Sequence, residues 1–224
     1  MKDRRGIIRR KPVVADHPSG PDAPLRATEL ALQRAGAARA LVLVEGISDQ
    51  IALEVAAQRL GRDLAAEGVV IVPAGGVGNI GALARRFGPV GAGLPLVGLC
   101  DAAEVTWVCR SLVKARVGIA LDGAGLERLG FFVCDRDLED ELIRALGAEQ
   151  VLTLLEREGD LTAFGTLQRQ KAWVDAPFAE QMRRFLGAGA RRKLRYAGVF
   201  VQALPADQLP APLRALLARV ARHV

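Results

Sequence analysis

Three acidic residues stand where their carboxylates could hold a metal ion. Glu45 directly follows the apolar run 40–44, Asp101 directly follows the apolar run 94–100, and Asp49 lies one helical turn beyond Glu45. Such runs are typical of buried parallel strands, whose carboxyl ends meet at one edge of a sheet. Crowded carboxylates repel one another unless a cation is bound, and oxygen ligands suit Mg²⁺ or Mn²⁺. The sequence therefore predicts a divalent-metal site.

Each of these acids also has a purely structural interpretation. Asp49 could cap the helix that follows the first strand, and Asp101 could cap the next helix. Glu45 could pair with a nearby arginine. This interpretation explains single residues better than the set, because two different strands end on an acid at the edge where sites occur.

Apolar periodicity predicts the elements that would position the acids. Four strands are expected, at 40–44, 69–72, 94–100 and 130–134. Helical patterns alternate with them, which indicates right-handed crossovers in one parallel sheet flanked by helices. After Gly147 the pattern is helical throughout. The predicted organisation is a flexible basic arm, an α/β domain and a helical C-terminal region, at 1–24, 25–147 and 148–224.

The composition limits the environment and the partners. Lys and Arg outnumber Asp and Glu by 31 to 25, so the net charge of +6 favours nucleic acid as a partner, although arginine could also serve only solubility. Cys100, Cys109 and Cys134 have no metal-ligand spacing, which indicates free thiols in a reducing compartment. No stretch is long and apolar enough to span a membrane and no signal-type region follows the N-terminus, so a cytoplasmic protein is expected.

Four segments carry a resemblance to a known family. They are LVLVEGISD at 41–49, LVGLCDAAE at 96–104, VCDRDLEDELIRALG at 133–147 and RRKLRYA at 191–197. The first resembles the strand and E-G-x-x-D motif that open Toprim domains, and the second resembles their strand ending in D-x-D. In this order the four segments are similar to the Toprim portion of OLD-family (overcoming lysogenization defect) nucleases. The resemblance implies a Rossmann-like Toprim fold and a nuclease site with Mg²⁺ or Mn²⁺, up to two ions per site.

The resemblance also implies roles for individual residues. Glu45, Asp49 and Asp101 match acids that bind metal and take part in catalysis. Glu139 matches a further metal-binding acid downstream. Lys193 matches a basic residue that neutralises phosphate, and it is the fourth catalytic candidate.

Two features depart from the family pattern. Ala103 stands where D-x-D has its second aspartate, which either moves a metal-ligand role to Glu104 or weakens one metal site. The family also joins its Toprim portion to an ATPase, whereas no GxxxxGK[ST] phosphate loop occurs in this sequence. A separate ATPase acting in trans is therefore kept as a candidate partner.

Basic residues near the last matching segment predict a surface that holds the nucleic-acid backbone. They are Arg183, Arg184, Arg191, Arg192 and Arg195. The alternative for these residues and Lys193 is an ordinary solvated basic face. The acids at 135–141 also have a structural alternative. They could serve simply to complement the dipole of the helix that they start, with Asp137 as its cap.

The predicted function is metal-dependent hydrolysis of phosphodiester bonds in DNA or RNA, with DNA the favoured substrate. One alternative is a non-catalytic Toprim module that binds nucleic acid or protein, which would fit the change at Ala103. Another is a dinucleotide-binding Rossmann protein, because Gly76, Gly78 and Gly81 spell GxGxxG after a strand, with Asp101 about 20 residues further on. That alternative gives no purpose to the other acids. The sequence leaves the oligomeric state open.

Overall fold

The computed structural model describes residues 17–18, 20–120 and 122–224. Its strands are β1 (Ala40–Val44), β2 (Val69–Pro73), β3 (Leu96–Asp101) and β4 (Phe131–Cys134). They form one parallel sheet in the order β2-β1-β3-β4. All four expected strands are present, and the prediction of an α/β fold with a parallel sheet is confirmed.

Helices cover both faces of this sheet and make up most of the chain after it. They are α1 (Ala23–Ala35), α2 (Ile47–Arg59), α3 (Ile80–Phe87), α4 (Val105–Lys114), α5 (Gly123–Arg128), α6 (Leu138–Arg157), α7 (Leu161–Gln168), α8 (Phe178–Gly187), α9 (Ala190–Ala203) and α10 (Ala211–Val220). Helix α5 was not expected from the sequence. Among the described residues, no helix is long and apolar enough to cross a membrane.

Strand β1 is the centre of the fold, because every one of its side chains is buried. Val42 and Val44 point to the face covered by α2 and the C-terminal helices. Leu41 and Leu43 point to the opposite face, covered mainly by α3, α4 and α5. A strand buried on both faces needs continuous apolar sequence, which is why the run 40–44 predicted its bounds correctly.

The C-terminal helices and one face of the sheet share a single hydrophobic core. Helix α9 packs against α2 and α6, and α10 packs against β3 and β4. Tyr196 and Phe200 of α9 are fully buried in this core. Packing of α9 on α2 fixes the position of the RRKLRYA segment relative to the end of β1.

The predicted division into three regions stays a prediction. Most of the arm at 1–24 lies outside the described residues, and α1 begins at Ala23. Helix α6 extends on both sides of the boundary at 147, and Gly147, with φ of 75°, interrupts its helical backbone. A positive φ is open to glycine at little cost, so the bend is specified by the residue type.

Candidate metal centre at the carboxyl end of the sheet

Three carboxylates converge at the carboxyl ends of the adjacent strands β1 and β3. Glu45 is the residue after β1, Asp101 is the last residue of β3, and Glu104 ends the 3₁₀ turn that follows. One carboxylate oxygen from each lies within 4.8 Å of those of the other two, and all three side chains are half-buried. The sheet therefore brings together two of the acids expected to meet, together with the residue next to Ala103.

The electrostatics of this cluster favour a cation. Burial, followed by the negative charges of Asp49 and Glu104, raises the pKa of Asp101 to about 8. Burial and the carboxylate of Glu45 also raise the pKa of Glu104. One Glu104 oxygen, Oε2, is buried and has no hydrogen-bond partner. Unpaired carboxylate oxygens in a desolvated, negatively charged group fit a hard divalent cation, which would satisfy them.

Asp49 lies beside this cluster, in the first turn of α2. Its Oδ2 accepts a hydrogen bond of 2.9 Å from the backbone N–H of Gly46, which closes a capping box. Asp49 therefore does cap the helix, as its structural interpretation predicts. The capping hydrogen bond involves only one of the two carboxylate oxygens. Burial and the nearby Glu139 carboxylate raise the pKa of Asp49 to about 7. The capping hydrogen bond alone would lower this pKa, so burial, helped by the charge of Glu139, outweighs it.

Glu139 and Lys193 form an ion pair, and the charges of both act on Asp49. The Lys193 Nζ lies 3.2 Å from Glu139 Oε1, and Glu139 is largely buried while Lys193 is half-exposed. Burial lowers the pKa of Lys193, but the charges of Glu139 and Asp49 outweigh it, and the net effect is a raised pKa. Lys193 therefore keeps its positive charge at the border of the acidic cluster.

The same part of the chain matches a known family. Residues 38–102 match the family described as overcoming lysogenization defect protein-like, TOPRIM domain. The OLD-like Toprim match contains Glu45, Asp49 and Asp101. A search of curated proteins gave no match.

Solved structures show the same fold. The C-terminal region of the Xanthomonas campestris pv. campestris OLD protein, phased with platinum, has a TM-score of 0.64 at 24% identity, over 85% of this chain and 100% of that chain. The C-terminal region of the Burkholderia pseudomallei OLD protein has a TM-score of 0.62 at 24% identity, over 83% of this chain and 98% of that chain. The chain thus has the Toprim fold of these C-terminal regions, with its helical addition.

The structure does not support a capping role for Asp101 or an ion pair between Glu45 and an arginine among the described residues. The side chain of Asp101 makes no capping hydrogen bond to the turn that follows it. Among the described residues, Glu45 has no ion pair with a basic side chain within 4.0 Å. Ala103 is exposed, and the adjacent Glu104 reaches the cluster instead. Of the two consequences considered for Ala103, the geometry favours transfer of a ligand role to Glu104.

The glycine loop of the Toprim segment supports the backbone at Glu45, a feature that sequence reasoning missed. The backbone N–H groups of Gly75 and Gly76 each donate to the carbonyl oxygen of Glu45, at 3.1 Å. Both glycines have positive φ, of 70° and 118°, which allows this approach. In a dinucleotide site such N–H groups would face phosphate. Here two of them are already used, which weighs against the Rossmann alternative.

The five predicted arginines divide into two groups. Arg183 donates through Nε to Asp137 at 2.7 Å, while Asp137 also caps α6 by accepting from the Asp140 N–H. Arg192 donates to the Phe185 carbonyl at 3.0 Å. The other engaged member is Arg195, which donates to Asp160.

These three hydrogen bonds give Arg183, Arg192 and Arg195 structural partners, which spacing alone does not reveal. Arg184 and Arg191 are exposed. A role for the five arginines in binding nucleic acid stays a prediction, and it is better supported for the exposed pair.

Proposed function

We propose that this chain is a divalent-metal-dependent nuclease that hydrolyses phosphodiester bonds of DNA, with RNA as the less favoured substrate. The carrying observation is the convergence of Glu45, Asp101 and Glu104 within 4.8 Å at the ends of two strands of a Toprim fold. Their oxygens would hold Mg²⁺ or Mn²⁺. When bound there, the ion would polarise a phosphate oxygen and offset the charge of the leaving group.

The residues around the cation ligands have separate roles in this proposal. Asp49, whose pKa burial raises in the metal-free chain, lies beside the cluster, where it could accept the proton of the attacking water. Lys193 offsets negative charge on the phosphate, and its ion pair with Glu139 holds it at the border of the site. Glu139 could also contribute a ligand to a second ion. A separate ATPase acting in trans is compatible with this arrangement and remains a candidate partner.

Cleavage assays with a matched pair of variants test the proposal. The purified chain, supplied with Mg²⁺ or Mn²⁺, should cleave DNA and should lose this activity in a chelator. Glu45→Gln should reduce cleavage by roughly a hundredfold or more, because it removes one charge from the cation site. Glu149→Gln changes an exposed glutamate outside the site and should have no effect. Metal-independent, salt-sensitive binding of nucleic acid without any cleavage would instead support the non-catalytic module.

The raised carboxyl pKa values predict how metal affinity depends on pH. Because the pKa of Asp101 is about 8, its carboxyl holds a proton at lower pH, and a cation that binds there must displace this proton. The affinity for Mn²⁺ should therefore rise as pH increases from about 6 to about 8.5, and binding should release protons. Titration calorimetry in two buffers of different ionisation enthalpy measures both quantities. An affinity that does not change over this range would show that the metal displaces no proton from this carboxyl group.

A further inference from the structure

A basic groove with an exposed tryptophan lies between α3 and α4. Its volume is about 400 Å³, and its lining includes Gly81 and Arg85 from α3 together with Trp107, Arg110 and Lys114 from α4. No aspartate or glutamate contributes to this lining. A groove that combines cationic side chains with an aromatic ring, and contains no acid, is complementary to a polyanion with flat bases.

Close packing of the two helices shapes the groove. At Gly81 an added Cβ would lie 3.1 Å from the Ser111 Cβ, so the glycine allows α3 to approach α4 closely at this end. Nearer the other end, Arg85 donates to the backbone carbonyl of Lys114 at 2.7 Å. The two helices therefore run side by side, and the groove follows them.

Trp107 is available for stacking. This residue is 52% exposed, which is unusual for a large apolar residue. In the described part of the chain, the aromatic pairs involve other rings, and none stacks on this indole. Arg110 and Lys114 are exposed, and Trp107, Arg110 and Lys114 recur at helical spacing along one stripe of α4.

The two helices that form the groove start at the same edge of the sheet as the metal site. Helix α4 follows β3 directly through the turn that ends in Glu104, and Trp107 is three residues further on. That separation is a rise of about 4.5 Å along a helix. Helix α3 starts from the same edge of the sheet, after the glycine loop that holds the Glu45 carbonyl. A strand lying in the groove would thus lead its backbone toward the carboxylates.

We propose that this groove binds a single-stranded segment of the nucleic acid, with a base stacked on Trp107 and phosphates held by Arg110 and Lys114. This inference rests on the proposed nuclease function and narrows its substrate to nucleic acid with unpaired bases near the cleavage point. Single strands are specified because stacking on an indole requires a free base face, which a duplex covers with its neighbouring base pairs. The cations add affinity that does not depend on sequence.

Oligonucleotide binding in a chelator tests the groove apart from catalysis. The wild-type chain should bind labelled oligo-dT more tightly than a duplex of equal length. Trp107→Ala should weaken oligo-dT binding about tenfold, and Trp107→Phe should recover part of the affinity, because phenylalanine can still stack. Since Trp107 is exposed, thermal unfolding should confirm that both variants remain folded.

Charge reversal tests whether Arg110 and Lys114 hold phosphates. Arg110→Glu and Lys114→Glu should each weaken binding and reduce the dependence of affinity on salt, by about one unit of slope for each phosphate that is no longer neutralised. Lys171→Glu reverses the charge of an exposed lysine outside the groove and serves as the matched control. If the groove variants and the control bind oligo-dT equally, the inference is wrong.

Two further outcomes separate this inference from the proposed function. If Trp107→Ala retains oligo-dT binding but changes the molecular mass in solution, the groove is a protein interface and the inference fails. If Glu45→Gln abolishes cleavage while Trp107→Ala cleaves single-stranded and duplex DNA like wild type, the nuclease proposal stands and the groove proposal falls. If oligo-dT binding depends on the groove residues but no metal-dependent cleavage occurs, the groove binds nucleic acid and the nuclease proposal falls.

Discussion

Replacing Asp101 by asparagine should lower metal-dependent cleavage by about a thousandfold, because the cation site then loses one of its charges. Asp101 lies at the end of β3 and shares the cluster with Glu45 and Glu104. Asparagine keeps the shape and one oxygen, but it cannot carry the charge that holds a divalent ion. Single-turnover cleavage at saturating DNA measures the decrease in the rate of the chemical step. Asp175→Asn, which changes an exposed aspartate, is the matched control.

The same variant should be more stable than wild type without metal, and this opposite effect identifies a functional carboxyl. The pKa of Asp101 is raised from 3.8 to about 8 in the folded chain, first by burial and then by Asp49. The folded state therefore keeps a proton that the unfolded state loses. Stability present below about pH 4 is lost as pH rises toward 8, and Asp101→Asn removes this penalty.

Chemical denaturation in a chelator measures the stability difference. At about pH 9 the free energy of unfolding of Asp101→Asn should exceed that of wild type by about 2 kcal/mol, because the amide still carries part of the cost of burial. At about pH 4 the difference should largely disappear. Added Mg²⁺ should stabilise wild type more than the variant. A variant that is less stable at every pH would indicate that Asp101 mainly holds the structure together.

The main part of the site could be predicted because strand ends are visible in a sequence. Continuous apolar runs ending on an acid gave both Glu45 and Asp101, and parallel topology then required them to meet. Glu104 entered only through a departure from the family pattern at Ala103. Its contribution depends on the 3₁₀ turn after β3, a local geometry that periodicity does not encode.

The features of the site that could not be predicted from the sequence depend on hydrogen bonds between elements far apart in the chain. The glycine loop suggested a dinucleotide site as an alternative, whereas two of its N–H groups bond the Glu45 carbonyl across neighbouring strands. Arg183 and Arg195 were assigned to nucleic acid, but Asp137 and Asp160 hold them. Such pairings join residues far apart in the chain, and a charge pattern does not reveal them.

Helix α5 was missed for a local reason. It has only six residues, GAGLER, and two of them are glycines. So short a segment has too few apolar positions to show a helical periodicity. Asp122 starts it by accepting the Gly125 N–H at 2.7 Å. An Asp followed by a short glycine-rich segment resembles a turn as much as a capped helix.

Gly98→Ala should cause a large loss of stability, because an added methyl group would clash inside the sheet. Gly98 lies in β3, and a Cβ there would lie 2.4 Å from Phe131 Cδ1 and 2.9 Å from the Leu43 carbonyl oxygen. Phe131 is fully buried and the Leu43 carbonyl belongs to the backbone of β1, so neither can move freely. Overpacking of this kind costs about 1–3 kcal/mol, and the free energy of unfolding should fall by at least the upper value, about 3 kcal/mol.

A double substitution shows whether the cause is steric. Phe131→Leu removes the ring atoms that meet the new Cβ, so Gly98→Ala should cost less in that background than in wild type. Gly36→Ala is the control, since its φ is −65° and nothing lies within 4 Å of its added Cβ. It should be neutral or slightly stabilising.

Because Gly98 lies three residues before Asp101, spreading of β3 from β1 should also separate Asp101 from Glu45. Metal affinity should therefore fall in Gly98→Ala and recover with Phe131→Leu, and independent changes in stability and affinity would argue against a link between sheet packing and the acidic cluster.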